Sequence, residues 1–535
     1  MKRPTHHVVD MAWNAWGDPA ERHALDEDTR QLIAQTLGIG GAAPARVPAE
    51  EVALRPSALP REARAALAAV VGEEHVRTDA PARLRHLGGK STPDLLRRRA
   101  GEAGEAPDAV LTPADHEQVR SVLDACARQG VAVVPFGGGT SVVGGVEPFR
   151  GPFPAVVSLD LRRLDALVAL DTESGTATLQ AGLRTPEAEE LLGAEGFTLG
   201  HFPQSYEFAT IGGYAATRSS GQFSAGYGRF DAMVTALKVA TPRGTLELSR
   251  GPATAAGPDL RQLFLGSEGT LGVITEVTVR VHRTPEERIE ESWSFPSFTE
   301  GAAAVRELAQ RQLLPTSIRV SDETETFINA VIAGGAAPEG CLSVVGFEGT
   351  GAQVAARRSA VAEVLAAHGA VKVAADSAAA WRRSRFSAPY LRDALLDAGV
   401  LAETLETVTS WSGLHALRTA VTGALTRELA REGFDPVVYC HLSHAYHSGA
   451  SLYFTVAADG GADPAARWGA AKRAAGDAIA AAGGSITHHH AVGMDHRPWM
   501  EAEIGPLGVE VLAAVKQTLD PAGILNPGKL IPAGS

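Results

Sequence analysis

The chain has 535 residues, of which 45% are hydrophobic and 21% charged, and a formal net charge of −13. That length exceeds what a single core serves and predicts two or three domains, while the acidic balance excludes nucleic acid as a partner and gives no general attraction to anionic lipid. Three widely spaced cysteines, Cys126, Cys341 and Cys440, imply no disulfide framework. No apolar run reaches 18 residues and residues 1–30 hold no leader pattern, so a cytoplasmic protein without a transmembrane segment is expected.

Residues 1–103 carry a Trp-rich start, MAWNAWG at 11–17, and helical segments such as 61–71. From residue 106 the pattern changes. Pro113 stands at a helix start, Val119, Val122, Leu123 and Cys126 recur at helical spacing, and Gly130 stops that helix. A strand at 131–136 then delivers the chain to a loop in which five of the nine residues from Gly137 to Gly145 are glycine. Strands follow at 155–161, 167–171 and 176–181, and 273–281 alternates with Val273, Val277, Val279 and Val281 on one face. Beyond Pro285, strands at 288–295 and 342–347 alternate with helices at 298–312 and 352–368, then a strand at 371–374. The Ala-rich stretch 462–483 reads as helix and the Ala-Gly patch 333–338 as a surface loop.

Glycine lets main-chain N–H groups approach a ligand closely, and Thr140 and Ser141 add hydroxyls, so the concavity at 135–146 suits a pyrophosphate. The competing reading is a plain glycine-rich turn between strands. Neither common nucleotide loop fits: Val142 occupies the third glycine of a dinucleotide fingerprint begun at Gly137. Leu84 likewise stands where a phosphate loop ending in Gly89-Lys-Ser-Thr92 needs its first glycine.

This loop resembles the pyrophosphate-binding loop of the vanillyl-alcohol-oxidase or PCMH-type FAD-binding fold. Residues 201–244, HFPQSYEFATIGGYAATRSSGQFSAGYGRFDAMVTALKVATPRG, are similar to the flavin-contacting segment of alkyldihydroxyacetonephosphate synthases, and GSEGTLGVITE at 266–276 is a third match in the right order. The resemblance implies an α+β chain. Its expected parts are a mainly helical region at 1–103, a two-subdomain FAD-binding domain at 104–284 and a smaller α+β cap at 285–475. A C-terminal segment at 476–535 is expected to return to the FAD domain. The FAD contacts it implies are Pro135, Phe136, Gly137, Gly138, Gly139, Thr140 and Ser141. Next come Gln204, Ser205, Tyr206, Glu207, Phe208, Ala209 and Thr210, with Thr217, Arg218, Ser219 and Ser220. Glu268, Gly269, Thr270, Leu271, Gly272, Val273 and Ile274 complete the set. The family has Asp-Ser-Leu-Glu where this chain has Gln204-Ser-Tyr-Glu207, so main-chain contacts carry over better than a side-chain contact at 204. No histidine lies in the 135–146 loop, and the resemblance implies non-covalent FAD, with His201 the other place where attachment is conceivable.

Three consecutive histidines, His488, His489 and His490, sit in SITHHHAVGM, similar to the family's SHHHGVG, which implies a requirement for activity. As a strand they would alternate faces. Successive residues do not all reach one ion, so a proton-transfer or phosphate-binding role is preferred to a metal site. His441, His444 and His447 stand where related FAD-linked hydroxyacid dehydrogenases carry a GHxGDGNxH metal motif, but Ser443-His-Ala-Tyr446 replaces Gly-Asp-Gly-Asn, and no metal is expected. Leu452-Tyr453-Phe454 aligns with the family's IYF and implies Tyr453 as the catalytic tyrosine, a phenol suited to acid/base work if a nearby cation lowers its pKa. Arg319 resembles the arginine of PASIRL near the flavin, and Arg392 that of YIRD, which contacts substrate phosphate.

The activity implied is exchange of the acyl group of acyl-dihydroxyacetone phosphate for a long-chain alcohol through a flavin N5 adduct, in ether lipid synthesis. An FAD-linked dehydrogenase of a 2-hydroxy acid is the alternative, and a flavin-binding protein without catalysis a third reading. Expected partners are a small phosphorylated or carboxylated substrate, the long-chain alcohol and a second copy in a homodimer, with peripheral membrane contact compatible.

Overall fold

The computed structural model describes residues 1–532 apart from 42, 105, 250, 333–338 and 374–375. The surface loop expected at 333–338 and the end of the strand expected at 371–374 therefore lie outside the described residues. Three larger sheets, with a two-stranded ladder of Phe197–Thr198 and His282–Arg283, organise the described residues.

The first has four strands. Val131–Phe136 and Ala109–Leu111 flank Ala155–Asp160 in parallel, and Val76–Arg77 adds an antiparallel edge. Parallel pairing needs a crossover, here the helix His116–Gln129. Asp115 caps that helix by accepting the Gln118 N–H, so it begins three residues after Pro113, and Gly130 ends it in the left-handed region at φ 63°. Its apolar stripe, Val119, Val122, Leu123 and Cys126, packs with Leu67 and Val71 of the helix Arg61–Val71. The chain returns at its C-terminus to the same sheet, where Val133 donates to Ile524 O and Asn526 N–H donates to Val133 O.

The second sheet is five-stranded and antiparallel, in the order Leu167–Asp171, Thr176–Gln180, Val273–Arg280, Val234–Thr241 and Gly244–Leu248. Val277 and Val279, fully buried, face its core.

Residues beyond 285 build a seven-stranded antiparallel sheet. Its order is Val371–Lys372, Glu287–Phe295, Cys341–Gly349, Ser317–Ser321, Val437–Ala445, Gly449–Asp459 and Val400–Ser410. Helices Phe298–Gln310, Gly351–Ala367, Leu414–Leu429 and Pro464–Ala481 contribute to the core on it, in which Leu452 and Phe454 are fully buried. Strand alternation turns Tyr453 to the opposite face. That reversal is what presents Tyr453 to the site.

The Trp-rich start straps the 204–210 segment to the region beyond residue 285. Trp16 is 4% exposed, lies edge-on to Phe208 at 5.8 Å and donates its backbone N–H to Asp393. Burying an indole is worth about 4–6 kcal/mol before ordering costs.

Candidate active site

The glycine loop is shaped first by its neighbours. A side chain at Gly138 would meet Phe208 O at 2.0 Å, and one at Gly137 would meet Thr210 Oγ1 at 2.3 Å, so both are glycine because the segment 204–210 lies against them. Positive φ is needed at Gly139 (69°) and Gly144 (71°). Ser141 Oγ accepts the Gly145 N–H at 3.0 Å and braces the turn. Among the cofactor segments and their borders, Gln204 Nε2 and Ser267 Oγ are buried without a partner, as donors meant for a ligand would be. A pyrophosphate-bearing cofactor fits this cradle. His201 is 1% exposed, wedged between Tyr214 and Phe230 and bonded through Nε2 to Ser219 Oγ, while its Nδ1 is buried without a hydrogen-bond partner among the described residues.

Glu268 ties this cradle to the histidines. Its carboxylate accepts the N–H groups of Val492 and Gly493 at 2.8–3.0 Å, just past the triplet, and burial pushes its carboxyl up to about 7. Asn526 Nδ2 donates to Gly145 O at 3.0 Å and Glu268 O at 2.6 Å, closing the junction.

His488, His489 and His490 form no strand; they lie in an irregular segment, which corrects the alternating arrangement. Glu406, on Val400–Ser410 and paired across the sheet with Tyr453, explains why. Its carboxylate accepts the backbone N–H of His488 (2.6 Å), His489 (3.0 Å) and His490 (2.9 Å), and the Thr487 hydroxyl (2.5 Å). Burial opposes its ionisation, but the adjoining histidines and the Thr487 hydroxyl outweigh that and hold it well below the ordinary carboxyl value. A strand ladder would have used those N–H groups; a buried acid uses them instead and frees all three rings to gather on one site.

The rings meet as follows. Tyr453 stacks on His441 at 4.9 Å, lies 6.1 Å from His489 and meets His490 edge-on at 5.6 Å, while its hydroxyl donates to Thr404 Oγ1 at 3.0 Å. His444 stacks on His488 at 4.9 Å and its Nδ1 is bonded to Ser224 Oγ at 2.7 Å and Ser220 Oγ at 3.1 Å. Ser220, in a cofactor segment, thus touches the imidazole cluster directly. Arg319 pairs with Glu325 at 2.5 Å, and Glu325 with His441 Nδ1 at 3.2 Å.

Burial sets the charge state of this group. It pushes His488 and His490 down to about 3 and lowers His489, His441 and His444 as well, so the imidazoles are neutral. The Tyr453 phenol is pushed up to about 12, by burial first and by Glu403 and Glu406 after it. Arg319, although paired with Glu325, still lowers it but is outweighed by burial, so the expected net lowering by a cation is corrected and Tyr453 is a protonated acid. Ligand atoms of His444, His488 and His489 lie within 4.8 Å of one another. The His444 and His488 rings are within 19° of parallel, so their lone pairs run side by side, which favours hydrogen bonding over a shared ion.

Arg392 stands apart from these rings. Its Nη1 donates to Lys90 O at 2.6 Å, its Nη2 lies 3.4 Å from Asp393 Oδ1, and its Nε is buried without a partner. Lys90 N–H in turn donates to Ser141 O, which places Arg392 behind the glycine loop. Glu406, Glu325, Asn526 and Ser224 were not singled out by sequence. The available signal was an acid in the middle of a Val/Thr-rich run at 404–408, which only strand pairing turns into a buried charge.

The fold and cradle define an FAD-linked flavoprotein. Residues 107–249 match the family described as FAD binding domain, and residues 284–530 that described as FAD linked oxidases, C-terminal domain. The chain is 36% identical over 493 residues to the alkyldihydroxyacetonephosphate synthase of Trypanosoma brucei brucei, covering 87% of this chain and 79% of that one. With the synthase of Dictyostelium discoideum the identity is 34%, covering 86% and 79%. The mitochondrial D-lactate dehydrogenase [cytochrome] of Arabidopsis thaliana is 27% identical, covering 81% and 74%. A solved alkyldihydroxyacetonephosphate synthase superimposes with a TM-score of 0.83 at 30% identity, covering 98% of this chain and 100% of that one. p-Cresol methylhydroxylase, at 0.66 and 16% over 89% and 98%, shares the fold. The chain belongs to the alkyldihydroxyacetonephosphate synthase family. It is a flavoenzyme whose cofactor is FAD, and the resemblance read at 135–146, 201–244 and 266–276 is borne out, with the PCMH-type α+β fold.

Proposed function

We propose that this flavoenzyme exchanges the acyl group of acyl-dihydroxyacetone phosphate for a long-chain alcohol and so forms an ether bond. One observation supports it best. At 443–446, where hydroxyacid dehydrogenases carry metal-binding Gly-Asp-Gly-Asn, this chain has Ser-His-Ala-Tyr, with His444 stacked on His488 and Tyr446 hydrogen-bonded to it. The site is equipped to move protons.

FAD would be held by 135–141, 204–210, 217–220 and 268–274 and would supply an electrophilic ring for a group exchange with no net electron transfer. The protein's part is acid/base work. His489, neutral and 15% exposed in its side chain, takes a proton. Tyr453, with its phenol intact, donates one, and His490 faces it edge-on. Arg319 acts through Glu325 to hold the His441 ring against Tyr453. Arg392 is the proposed phosphate ligand. FAD is held non-covalently, since the loop has no histidine and His201 is enclosed. No described helix is long and apolar enough to cross a membrane; a cytoplasmic homodimer belongs to the same proposal. The domain limits 1–103, 104–284, 285–475 and 476–535 belong to the same proposal.

The test is anaerobic incubation of the holoenzyme with acyl-dihydroxyacetone phosphate and a labelled long-chain alcohol. Ether and fatty acid should appear in equal amounts while the oxidised flavin spectrum persists. Bleaching by a 2-hydroxy acid, with no ether formed, would instead identify a dehydrogenase.

A further inference from the structure

Arg385 follows the helix Asp376–Ser384 and sets its guanidinium among four aromatic rings. Its Cζ lies 4.7 Å from the ring centre of Phe386, 5.1 Å from Phe223, 5.3 Å from Phe202 and 5.9 Å from Trp381. Aromatic faces attract a cation, but they leave the N–H groups at its edge without the acceptors that a carboxylate provides. Among the described residues this guanidinium makes no hydrogen bond and no ion pair. The residue is half-buried and its nitrogens are not sealed off, so the donors stay available. The acids in its neighbourhood are taken by others. Glu290 pairs with Arg382 at 3.2 Å, while Glu348 pairs with Arg288 at 2.9 Å and accepts the Tyr227 hydroxyl at 2.6 Å. Burial works against the Arg385 charge, and an anion at its edge would relieve that cost.

The cage is built from two parts of the chain. Trp381, Arg385 and Phe386 come from the region beyond residue 285, whereas Phe202 and Phe223 bracket the proposed cofactor segments 204–210 and 217–220. Gln222 Nε2 donates to Arg385 O at 3.2 Å, and Tyr206 stacks on Phe386 at 5.1 Å with 11° between the rings. Ser224, next to Phe223, is bonded to His444 Nδ1 at 2.7 Å, so a single peptide step joins the cage to the imidazole set.

We infer that Arg385 and its aromatic rings form a receptor for a fatty carboxylate, the acid that the exchange releases. The surroundings decide between anions. A phosphate dianion keeps several donors and water about it, and here one guanidinium stands among apolar faces. A carboxylate is satisfied by two parallel N–H groups of one guanidinium, and its alkyl chain gains by lying against the rings. The identity of the acid rests on the proposed exchange; the cage itself does not.

Calorimetry on the holoenzyme with dodecanoate, dodecanol and inorganic phosphate tests this. Dodecanoate should bind the parent, and Arg385→Gln should weaken it by about 10–100-fold, as loss of a charged pair of hydrogen bonds requires. Dodecanol offers the same chain without the charge, so its affinity should be equal in the two proteins. Phosphate should not displace dodecanoate. A parent that fails to bind dodecanoate, or equal affinity in parent and variant, would overturn the receptor. Displacement by phosphate would make the cage a phosphate site instead. Equal loss of dodecanoate and dodecanol would reduce Arg385 to a latch between the two parts of the chain. If Arg385→Gln does not fold, Arg385→Lys replaces it: dodecanoate about tenfold weaker with dodecanol unchanged supports the receptor, and parental affinity for both overturns it. A parent that binds dodecanoate through Arg385 yet makes no ether refutes the proposed exchange and leaves the carboxylate receptor standing.

Discussion

Glu406→Gln isolates what holds the histidine triplet. The change preserves volume but replaces Oε2, which accepts the His488 N–H at 2.6 Å, with an amide that donates. A charge-assisted bond worth about 1.5–3 kcal/mol becomes a donor–donor contact. The three bonds to Oε1, from Thr487, His489 and His490, lose the charge that strengthens them. Turning the amide round is worse, because it then faces three donors. A net loss of about 3–4 kcal/mol for the held conformation follows, and at about 1.4 kcal/mol per tenfold the productive arrangement falls by roughly 10²–10³. Glu406 bonds to none of residues 135–141 or to Glu268, so flavin stoichiometry should not change. Ether-forming turnover and the flavin absorbance ratio, measured on one preparation, read both quantities. Thr487→Val, which removes one of the four donors, should cost about tenfold or less. A Glu406→Gln enzyme within about threefold of parental turnover would refute the idea that this carboxylate positions the triplet.

Gly138→Val should yield colourless protein, because its Cβ would lie 2.0 Å from Phe208 O and force the 204–210 segment away; normal FAD occupancy would show that the loop has another role. Tyr453→Phe removes only the hydroxyl and should lower turnover by about 10²–10⁴-fold with flavin content intact, whereas near-parental turnover would remove Tyr453 from the mechanism. Acidification should destabilise the protein. His488 and His490 sit at about 3, below the roughly 6.5 of an exposed imidazole, so the unfolded chain binds protons first as pH falls. Their stabilising effect is complete above about pH 6.5 and drains towards about pH 3, each withdrawing about 2 kcal/mol by pH 5. FAD should then appear in the supernatant; a denaturation midpoint flat from pH 7 to 4, or flavin left on the precipitated chain, would contradict this.

What the sequence makes legible follows from whether its signal is local. The strand Val131–Phe136, the helix Arg61–Val71 and the glycine loop are read directly, since hydrophobic period, an αL glycine and glycine density are all properties of a short window. Tyr453 is legible for the same reason: Leu452 and Phe454 go to the core and alternation does the rest. The conformation of 488–490 is not, because Glu406 lies 82 residues from His488 and acts through backbone N–H groups, which leave no side-chain pattern. Gly138 shows the middle case. Its identity is informative, but the reason it must be glycine is the Phe208 carbonyl, visible only once the chain has folded back.

Glu268 and Glu406 together explain how an irregular segment serves as a precise catalytic support. Between them they take five backbone donors, the N–H groups of 488, 489, 490, 492 and 493, while Ala491, at φ 73°, reverses the chain between the two carboxylates. Displacing the segment would leave those groups buried and unsatisfied at about 1–3 kcal/mol each, a larger penalty than moving a surface loop incurs. One of the two acids belongs to a cofactor segment and the other pairs across the sheet from Tyr453. The triplet is therefore registered at one end to the FAD cradle and at the other to the tyrosine, so its rings hold their positions while charge develops beside them. A strand would have fixed the same backbone more cheaply, but it would have sent the three rings to opposite faces. Two buried carboxylates are the arrangement that keeps all three on one site.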